Sequence, residues 1–159
     1  MKKQKIKNLA QCLFLPLLTG GLAAFLTNDS MKKFGEMVKP PLTPPGYLFP
    51  IVWTGLYILM GIASYLVFTA DAKGEDKEKA LRLYGLQLAV NFLWPILFFR
   101  FSLYLFAFFW ILLLWGMILV IIVMFNQISR AAAYLMMPYL LWVTFAGYLN
   151  FAIYLLNKV

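Results

Sequence analysis

Five long apolar stretches dominate this chain and restrict it to a membrane-spanning fold. They cover residues 9–26, 47–70, 81–99, 103–125 and 132–156. About 20 apolar residues in helical form cross the hydrocarbon core of a bilayer, and each stretch approaches or exceeds that length. None of them alternates with a period of two, as barrel strands do. Because backbone groups in lipid must bond within their own helix, we predict an all-α membrane protein. We expect a single domain over residues 1–159, a bundle of five transmembrane helices.

The composition and the charge distribution agree with a membrane location. The chain is 64% hydrophobic and 13% charged, whereas soluble domains are about 45–50% apolar and about 25% charged. The basic residues lie at the ends of apolar stretches, where they meet lipid headgroups, so we expect the bilayer and no nucleic acid as a partner. With the N-terminus inside, nine basic residues are inside and five outside, which together make the 14 in the sequence. The positive-inside rule therefore predicts a multi-pass protein with a cytoplasmic N-terminus, and we expect a bacterial cell membrane.

The connection between the first two stretches, about residues 27–46, contains a proline cluster. Its sequence is Lys39-Pro40-Pro41-Leu42-Thr43-Pro44-Pro45-Gly46. Proline fixes φ, lacks the N–H donor and pushes the preceding residue toward extended geometry. The segment is therefore stiff and non-helical. We predict a shaped lid over the outer end of the bundle, with a helix-stopping linker as the alternative.

The residue types that are missing exclude several functions. Histidine is absent, and Cys12 is the single cysteine. We expect all six carboxylates in loops: Asp29, Glu36, Asp71, Glu75, Asp76 and Glu78. An ion-coupled carrier usually buries a carboxylate within its spans. Hydrolysis by paired carboxylates, or by a nucleophile that a histidine activates, needs residues that these spans lack. We therefore predict no catalytic residue, no metal site and no required cofactor.

Three of the predicted helices each have a face that combines aromatic rings with uncharged side-chain groups that form hydrogen bonds. The members follow helical spacing: Trp53 and Tyr57 on the second helix, Gln87, Asn91 and Trp94 on the third, and Trp142, Phe145, Ala146 and Asn150 on the fifth. Together these faces suit a large, planar, mostly apolar ligand. The alternatives are that the aromatic residues anchor the chain at the membrane interface and that the asparagines bond between helices.

Two pairs of small residues at a spacing of four permit close helix packing. Gly85 and Ala89 lie on the third helix, and Gly20 and Ala24 lie on the first. Such pairs serve either a dimer interface or packing within the bundle. The sequence alone leaves both uses open.

Four motifs resemble the TspO/MBR family, which includes the translocator proteins, also called peripheral-type benzodiazepine receptors. The motifs are Lys39-Pro40-x-x-x-Pro44-Pro45, Val52-Trp53-x-x-Leu56-Tyr57, Gln87-Leu88-x-x-Asn91-x-x-Trp94 and Pro138-Tyr139-x-x-Trp142-x-x-Phe145-Ala146-x-x-Leu149-Asn150. They occur in the family's order and spacing, and the resemblance covers essentially the whole chain.

The resemblance implies a five-helix fold, usually a homodimer, that binds porphyrins such as protoporphyrin IX and haem beneath the first loop. Some members also bind sterols and isoquinolines. Carried over by motif, the pocket positions are Trp53, Asn91, Trp94, Trp142, Phe145 and Ala146, with Pro44 and Pro45 in the lid. Family dimers are often built on the third helix, so the resemblance implies that Gly85 and Ala89 lie at the dimer interface. From its charge and position, Lys39 is expected to pair with ligand propionates.

The chain departs from the family pattern in the first loop. The family often has a Trp-Tyr pair where this chain has Lys33 and Phe34, and commonly has Trp where it has Leu42. Some members are reported to promote light-dependent porphyrin breakdown through such aromatics, so the resemblance does not extend that activity to this chain.

The leading hypothesis is a membrane receptor or sensor for tetrapyrroles and similar flat lipophiles. Trp53 and Trp142 would stack on the ligand, and Asn91 would orient it. One alternative is a light-dependent porphyrin-degrading enzyme that uses Trp53 or Trp142. The other is a porphyrin or sterol transporter, which the absence of internal repeats and of a coupling charge disfavours.

Overall fold

A computed structural model describes residues 2–158, and all the regular secondary structure over that range is helical. The α-helices are α1 (Lys2–Thr27), α2 (Met31–Glu36), α3 (Leu48–Thr69), α4 (Gly74–Pro95), α5 (Tyr104–Ile128) and α6 (Arg130–Leu156). A 3-10 turn, Asn28–Ser30, joins α1 to α2, and a π-helical turn, Ile96–Arg100, follows α4. Five helical segments are long and apolar enough to cross a membrane, which confirms the predicted five-helix class. Met1 and Val159, the ends of the predicted domain, lie outside the described residues.

The helices extend beyond the apolar stretches, most clearly at their polar ends. α1 begins at Lys2 rather than near residue 9, and α4 begins at Gly74 rather than near residue 81. Ion pairs across one turn support the start of α4: Lys79 Nζ lies 2.6 Å from Glu75 Oε1, and Arg82 Nη2 lies 2.5 Å from Glu78 Oε1. Pairs at this spacing stabilise a solvated helix. Both α1 and α4 therefore extend beyond the apolar residues that cross the bilayer.

The prediction that every carboxylate lies in a loop is wrong for most of them. Glu75, Asp76 and Glu78 belong to the first turns of α4, where acidic groups complement the helix dipole. Asp29 lies in the 3-10 turn, and Glu36 ends α2. All six carboxylates are nevertheless exposed. None of these six carboxylates is therefore a charge buried within a membrane span.

The first connection is partly helical and partly irregular. Residues 28–36 continue as the 3-10 turn and α2, and the chain becomes irregular from residue 37 to residue 47. The proline cluster is non-helical, as proline geometry predicts. At Leu42 the backbone takes a left-handed turn, with φ of 68°.

Within the bundle, α1 packs along α3, α5 packs along α6, and α3 and α4 also contact α6 and α5 respectively. Two glycines allow the close approach of α1 and α3. A Cβ at Gly61 would stand 2.9 Å from Leu13 Cα, and a Cβ at Gly20 would overlap the Tyr57 ring. Of the two uses left open for the Gly20–Ala24 pair, Gly20 therefore serves packing within the bundle.

Candidate functional site

A cavity of about 370 Å³ lies between α1, α3 and α4, at the end of the bundle that carries the proline cluster. Its volume falls within the about 300–1,000 Å³ typical of small-molecule pockets. Its walls are formed by Leu17, Gly20, Gly21, Ala23, Ala24, Thr27, Asn28, Met31, Gly46, Phe49, Pro50, Trp53, Thr54, Tyr57, Asn91, Trp94, Pro95 and Phe99. None of these described residues carries a charge. The site therefore favours neutral, apolar surface over an ionic group within the bundle.

The α1 wall is built from small residues, and sequence reasoning did not include it in the site. The run Gly20–Ala24 contributes four small residues to the cavity lining. A Cβ at Gly21 would meet nothing within 4 Å, so the space beside this turn of α1 is open. The signal in the sequence was the run of small residues itself, which is as consistent with helix packing as with a pocket.

Aromatic rings form the opposite walls. The Trp53 ring stacks on Tyr57, with centroids 5.6 Å apart and planes inclined at 28°, and meets Tyr139 edge-on at 6.2 Å. On α4 the Trp94 ring stacks on Phe98 at 5.4 Å and 24°. Because these rings are held by neighbouring rings, their faces are already positioned for a flat ligand.

A buried hydrogen-bonded chain runs from the cavity into the bundle. Tyr57 Oη donates to Asn91 Oδ1 at 2.7 Å, and Asn91 Nδ2 donates to Tyr139 Oη at 2.7 Å. Tyr139 Oη in turn donates to Gln87 Oε1 at 2.8 Å. The chain joins α3, α4 and α6, so the interhelical role weighed for Asn91 is present. The Asn91 carbonyl accepts one of the two hydrogen bonds that such an oxygen can accept.

Trp94 offers the cavity its ring and turns its polar tip away. Its Nε1 donates to Asn150 Oδ1 at 3.0 Å, and Asn150 Nδ2 donates to the Tyr104 carbonyl at 2.7 Å. The predicted neighbour Asn150 therefore fixes Trp94 from α6 rather than facing a ligand. The consequence is an apolar α4 wall whose orientation is set by hydrogen bonds behind it.

The structure brings four of the predicted site residues together and leaves the α6 group apart. Trp53, Tyr57, Asn91 and Trp94 line the cavity. Trp142, Phe145 and Ala146 do not, and the Phe49 ring, which lines the cavity, lies against Trp142. The Phe49 and Trp142 centroids are 5.9 Å apart, at 68°, and Trp142 also packs on Phe145.

The predicted lid residues lie beside the cavity rather than in its walls. Pro44, Pro45 and Lys39 are not lining residues, whereas Gly46 is one. Lys39 Nζ donates to the Gly35 carbonyl at 3.1 Å and stands 5.2 Å from the centre of the Phe34 ring. This lysine is therefore held at the end of α2, and its pairing with a ligand propionate stays a prediction.

The proline segment is anchored to α6. Val38 N donates to Asn157 Oδ1 at 3.3 Å, and Asn157 Nδ2 donates back to the Val38 carbonyl at 2.9 Å. Tyr148 Oη donates to the Pro41 carbonyl at 3.2 Å. These bonds attach one side of the segment to the C-terminal half of α6, while Gly46 and α3 carry its other side to the cavity.

The three positions that depart from the family pattern have different surroundings. Phe34 is buried and packs edge-on against Phe49, Phe98 and Phe99, so an aromatic ring is retained there. Lys33 Nζ donates to Ser102 Oγ at 2.9 Å. Leu42 is 82% exposed. The loop therefore loses aromatic surface at its outer positions and keeps it at the one that faces the bundle.

The residues predicted for a dimer interface face outward. Ala89 is exposed, and a Cβ added at Gly85 would have no neighbour within 4 Å. This face of α4 is available to another helix, and the homodimer stays a prediction.

A second hollow, the outer groove, has a volume of about 480 Å³ and lies on the outer side of α5 and α6. It is lined by Phe108, Ile111, Leu112, Trp115, Val143, Thr144, Gly147, Tyr148, Phe151, Ala152 and Leu155. Several of these residues are exposed on the bundle surface. The outer groove contains none of the predicted site residues, so substitutions in it leave the cavity between α1, α3 and α4 unchanged.

Comparison with known proteins extends over nearly the whole chain. A model of the TspO/MBR family matches residues 12–156. A Tryptophan-rich protein TspO from Chlorobaculum tepidum is 38% identical over 99% of both chains. A Translocator protein from Bos taurus is 37% identical over 91% of this chain and 87% of its own. A Tryptophan-rich sensory protein from Cereibacter sphaeroides is 33% identical over 94% of each.

Proposed function

Because this chain belongs to the TspO/MBR family, we propose that it is a membrane receptor or sensor for tetrapyrroles, such as protoporphyrin IX and haem, and for similar flat lipophiles such as sterols or isoquinolines. Family membership and five spans make it an integral, multi-pass membrane protein. A relative named as a sensory protein supports a sensory role. We also propose a cytoplasmic N-terminus in a bacterial cell membrane, which puts the cavity in the outer half of the bilayer.

The observation that carries this proposal is an uncharged cavity walled by indole and phenyl rings. A porphyrin presents a broad apolar plane, and stacking on aromatic faces is favourable for such a plane. Trp53 and Trp94 supply two such faces from different helices. Asn91 lines the cavity and its carbonyl has the capacity for a second hydrogen bond, so a pyrrole N–H that donated to it would be oriented by this residue.

The propionates of a porphyrin require a polar exit. The cavity reaches Asn28 and Gly46 at the end of the bundle, next to the segment that contains Lys39. Charged groups of the ligand can lie at this end, in the headgroup region, while the macrocycle enters between the helices. Lys39 is the cation proposed to meet them, after it leaves the Gly35 carbonyl.

Haem and metal-free porphyrin should bind alike. The sequence has no histidine, which is the commonest proximal ligand in haem proteins. Met31 and Tyr57 are the lining residues whose side chains could approach an iron, and the Tyr57 hydroxyl is already bonded to Asn91. The iron therefore contributes little to affinity in this proposal.

A titration with protoporphyrin IX tests the function. The purified chain in detergent micelles is compared with Trp53→Leu, which removes a cavity wall, and with Trp115→Leu, which removes an indole from the outer groove. Affinity is read from the shift of the porphyrin absorption band. We expect Trp53→Leu to weaken binding about tenfold, as the loss of an aromatic contact and its buried area suggests, and Trp115→Leu to leave it unchanged. Equal effects of the two variants would refute the assignment of the cavity.

A second function, light-dependent porphyrin degradation, is favoured by one observation. Trp53 lines the cavity and stacks on Tyr57, so an oxidisable indole and a phenol lie where a porphyrin would bind. Illuminating the protein with protoporphyrin and oxygen distinguishes an enzyme from a receptor. Loss of the porphyrin band that depends on Trp53 would establish degradation, and a stable band would leave the receptor proposal alone.

A further inference from the structure

Phe49 contacts both the cavity and Trp142 of α6. Its ring lines the cavity and is half-buried. On its other sides it meets Phe34 edge-on at 6.0 Å and Trp142 at 5.9 Å. Trp142 and its neighbour Phe145 are therefore reached from the cavity by way of the Phe49 side chain.

Trp142 carries a hydrogen-bond donor that is unused. Its Nε1 is buried and has no hydrogen-bond partner among the described residues. A buried donor without a partner is unfavourable. A carbonyl or carboxylate of a ligand that reached this group would remove the penalty, and the Phe49 ring that packs against Trp142 lines the cavity from which such a ligand would come.

The size of the cavity limits which ligands fit while the Phe49 ring is in place. At about 370 Å³, the cavity is near the lower end of the range for ligand pockets. A molecule with two fused rings fits such a space, whereas a macrocycle of four pyrrole rings must extend beyond it. On the Phe49 side a ligand that extends beyond the cavity meets further aromatic rings, because Trp142 packs against Phe145 with their centroids 5.6 Å apart and their planes inclined at 49°.

We propose that Phe49 determines which ligands the site admits. With its ring in place, the site accepts small flat molecules. When the ring rotates away, the cavity joins the Trp142 wall and accepts a macrocycle, and Trp142 Nε1 donates to an acceptor on that ligand. This inference rests on the function proposed above, because it concerns the same cavity.

The test compares large and small ligands on Phe49→Leu. Leucine keeps the position apolar but removes the ring contacts with Phe34 and Trp142. Moving the side chain out of the way of a large ligand therefore costs less contact energy than it does with phenylalanine. We expect protoporphyrin IX to bind about fivefold more tightly, in line with the strength of an aromatic pair. Isoquinoline, measured by competition, should bind with unchanged or lower affinity. Phe68→Leu, an exposed phenylalanine on the same helix, is the matched control.

A double-mutant cycle tests the role of the Trp142 donor. Trp142→Phe keeps an aromatic face and removes Nε1. In that background, the increase in protoporphyrin IX affinity caused by Phe49→Leu should be at most half as large as in the unmodified chain. A thermal unfolding midpoint verifies that each variant is folded. Phe49→Met, which is unbranched and flexible, replaces Phe49→Leu if the latter does not fold.

The outcomes separate this inference from the function on which it rests. If the unmodified chain does not bind protoporphyrin, the proposed function fails and Phe49 has no such role. If it binds and Phe49→Leu behaves like Phe68→Leu toward both ligands, only the role of Phe49 is refuted. A gain for protoporphyrin that persists fully in the Trp142→Phe background would refute the hydrogen bond to Trp142.

Discussion

Replacing Gly20 by alanine should damage both the fold and the candidate site, although the change adds one methyl group. A Cβ at this position would overlap the Tyr57 ring. That ring has little freedom to move, because it stacks on Trp53 and its hydroxyl donates to Asn91. Relief of the overlap therefore requires either a shift of α1 or loss of the Tyr57–Asn91 bond.

The magnitude follows from two terms. Extra methylene groups in a packed core are destabilising by about 1–3 kcal/mol. Loss of a hydrogen bond adds about 0.5–1.5 kcal/mol if Tyr57 is the group that moves. Against these, alanine is preferred over glycine in a helix by about 1 kcal/mol. The expected net loss in unfolding free energy is about 1–3 kcal/mol.

Gly21→Ala is the matched control, because it makes the same substitution one residue later in the same helix. A Cβ at Gly21 has no neighbour within 4 Å, so only the propensity gain remains. Unfolding free energies are measured by titration of micelles with a denaturing detergent. Gly21→Ala should be neutral or stabilising, and the difference between the two variants isolates the overlap.

Porphyrin affinity gives a second readout on the same proteins. Gly20→Ala should weaken protoporphyrin binding, since it displaces a cavity wall. Tyr57→Leu is destabilising in itself, because it breaks the bond to Asn91, but it removes the ring that the new Cβ overlaps. The loss of unfolding free energy caused by Gly20→Ala should therefore be smaller in a Tyr57→Leu background than in the unmodified chain. The reasoning would be refuted if Gly20→Ala and Gly21→Ala were equally stable, or if Gly20→Ala were as destabilising in the Tyr57→Leu background as without it.

Three further predictions follow from the buried chain, the missing histidine and the loop anchor. Tyr139→Phe should lower the unfolding free energy by about 1–2 kcal/mol, because it removes the hydrogen-bond partner of Asn91 Nδ2 and of Gln87 Oε1, both buried. Tyr134→Phe on the exposed face should have no effect, and equal effects would contradict the account. Haem and protoporphyrin IX should bind within tenfold of each other in parallel absorption titrations, and haem binding more than tenfold tighter would require an iron ligand that the argument lacks. Asn157→Ala should raise amide hydrogen exchange over residues 38–46, while the exposed Asn126→Ala should not; unchanged exchange would show that the Val38–Asn157 bonds do not hold the segment.

The sequence predicted the helices well because the bilayer imposes a length and a hydrogen-bonding requirement on each span. Their ends were less predictable. The acidic start of α4 is helical, and the ion pairs at Glu75 and Glu78 contribute to its stability, a local effect that hydropathy does not contain.

The cavity residues that share one helix face could be predicted from the sequence. Those whose position depends on packing between helices could not. Trp53, Tyr57, Asn91 and Trp94 follow helical spacing, and all of them line the cavity. Helical spacing on α6 could not show that Phe49, from another helix, would cover Trp142. Small residues such as Gly21 carry no functional group, so their place in the cavity wall became visible only with the packing.

The central claim is that the cavity between α1, α3 and α4 is the tetrapyrrole site, and filling it is the most direct test. Ala24→Phe places a ring in that cavity without removing an indole, and Ala152→Phe places one in the outer groove. We predict that protoporphyrin IX affinity falls at least tenfold in Ala24→Phe and is unchanged in Ala152→Phe. Unchanged affinity in a folded Ala24→Phe protein would contradict the claim.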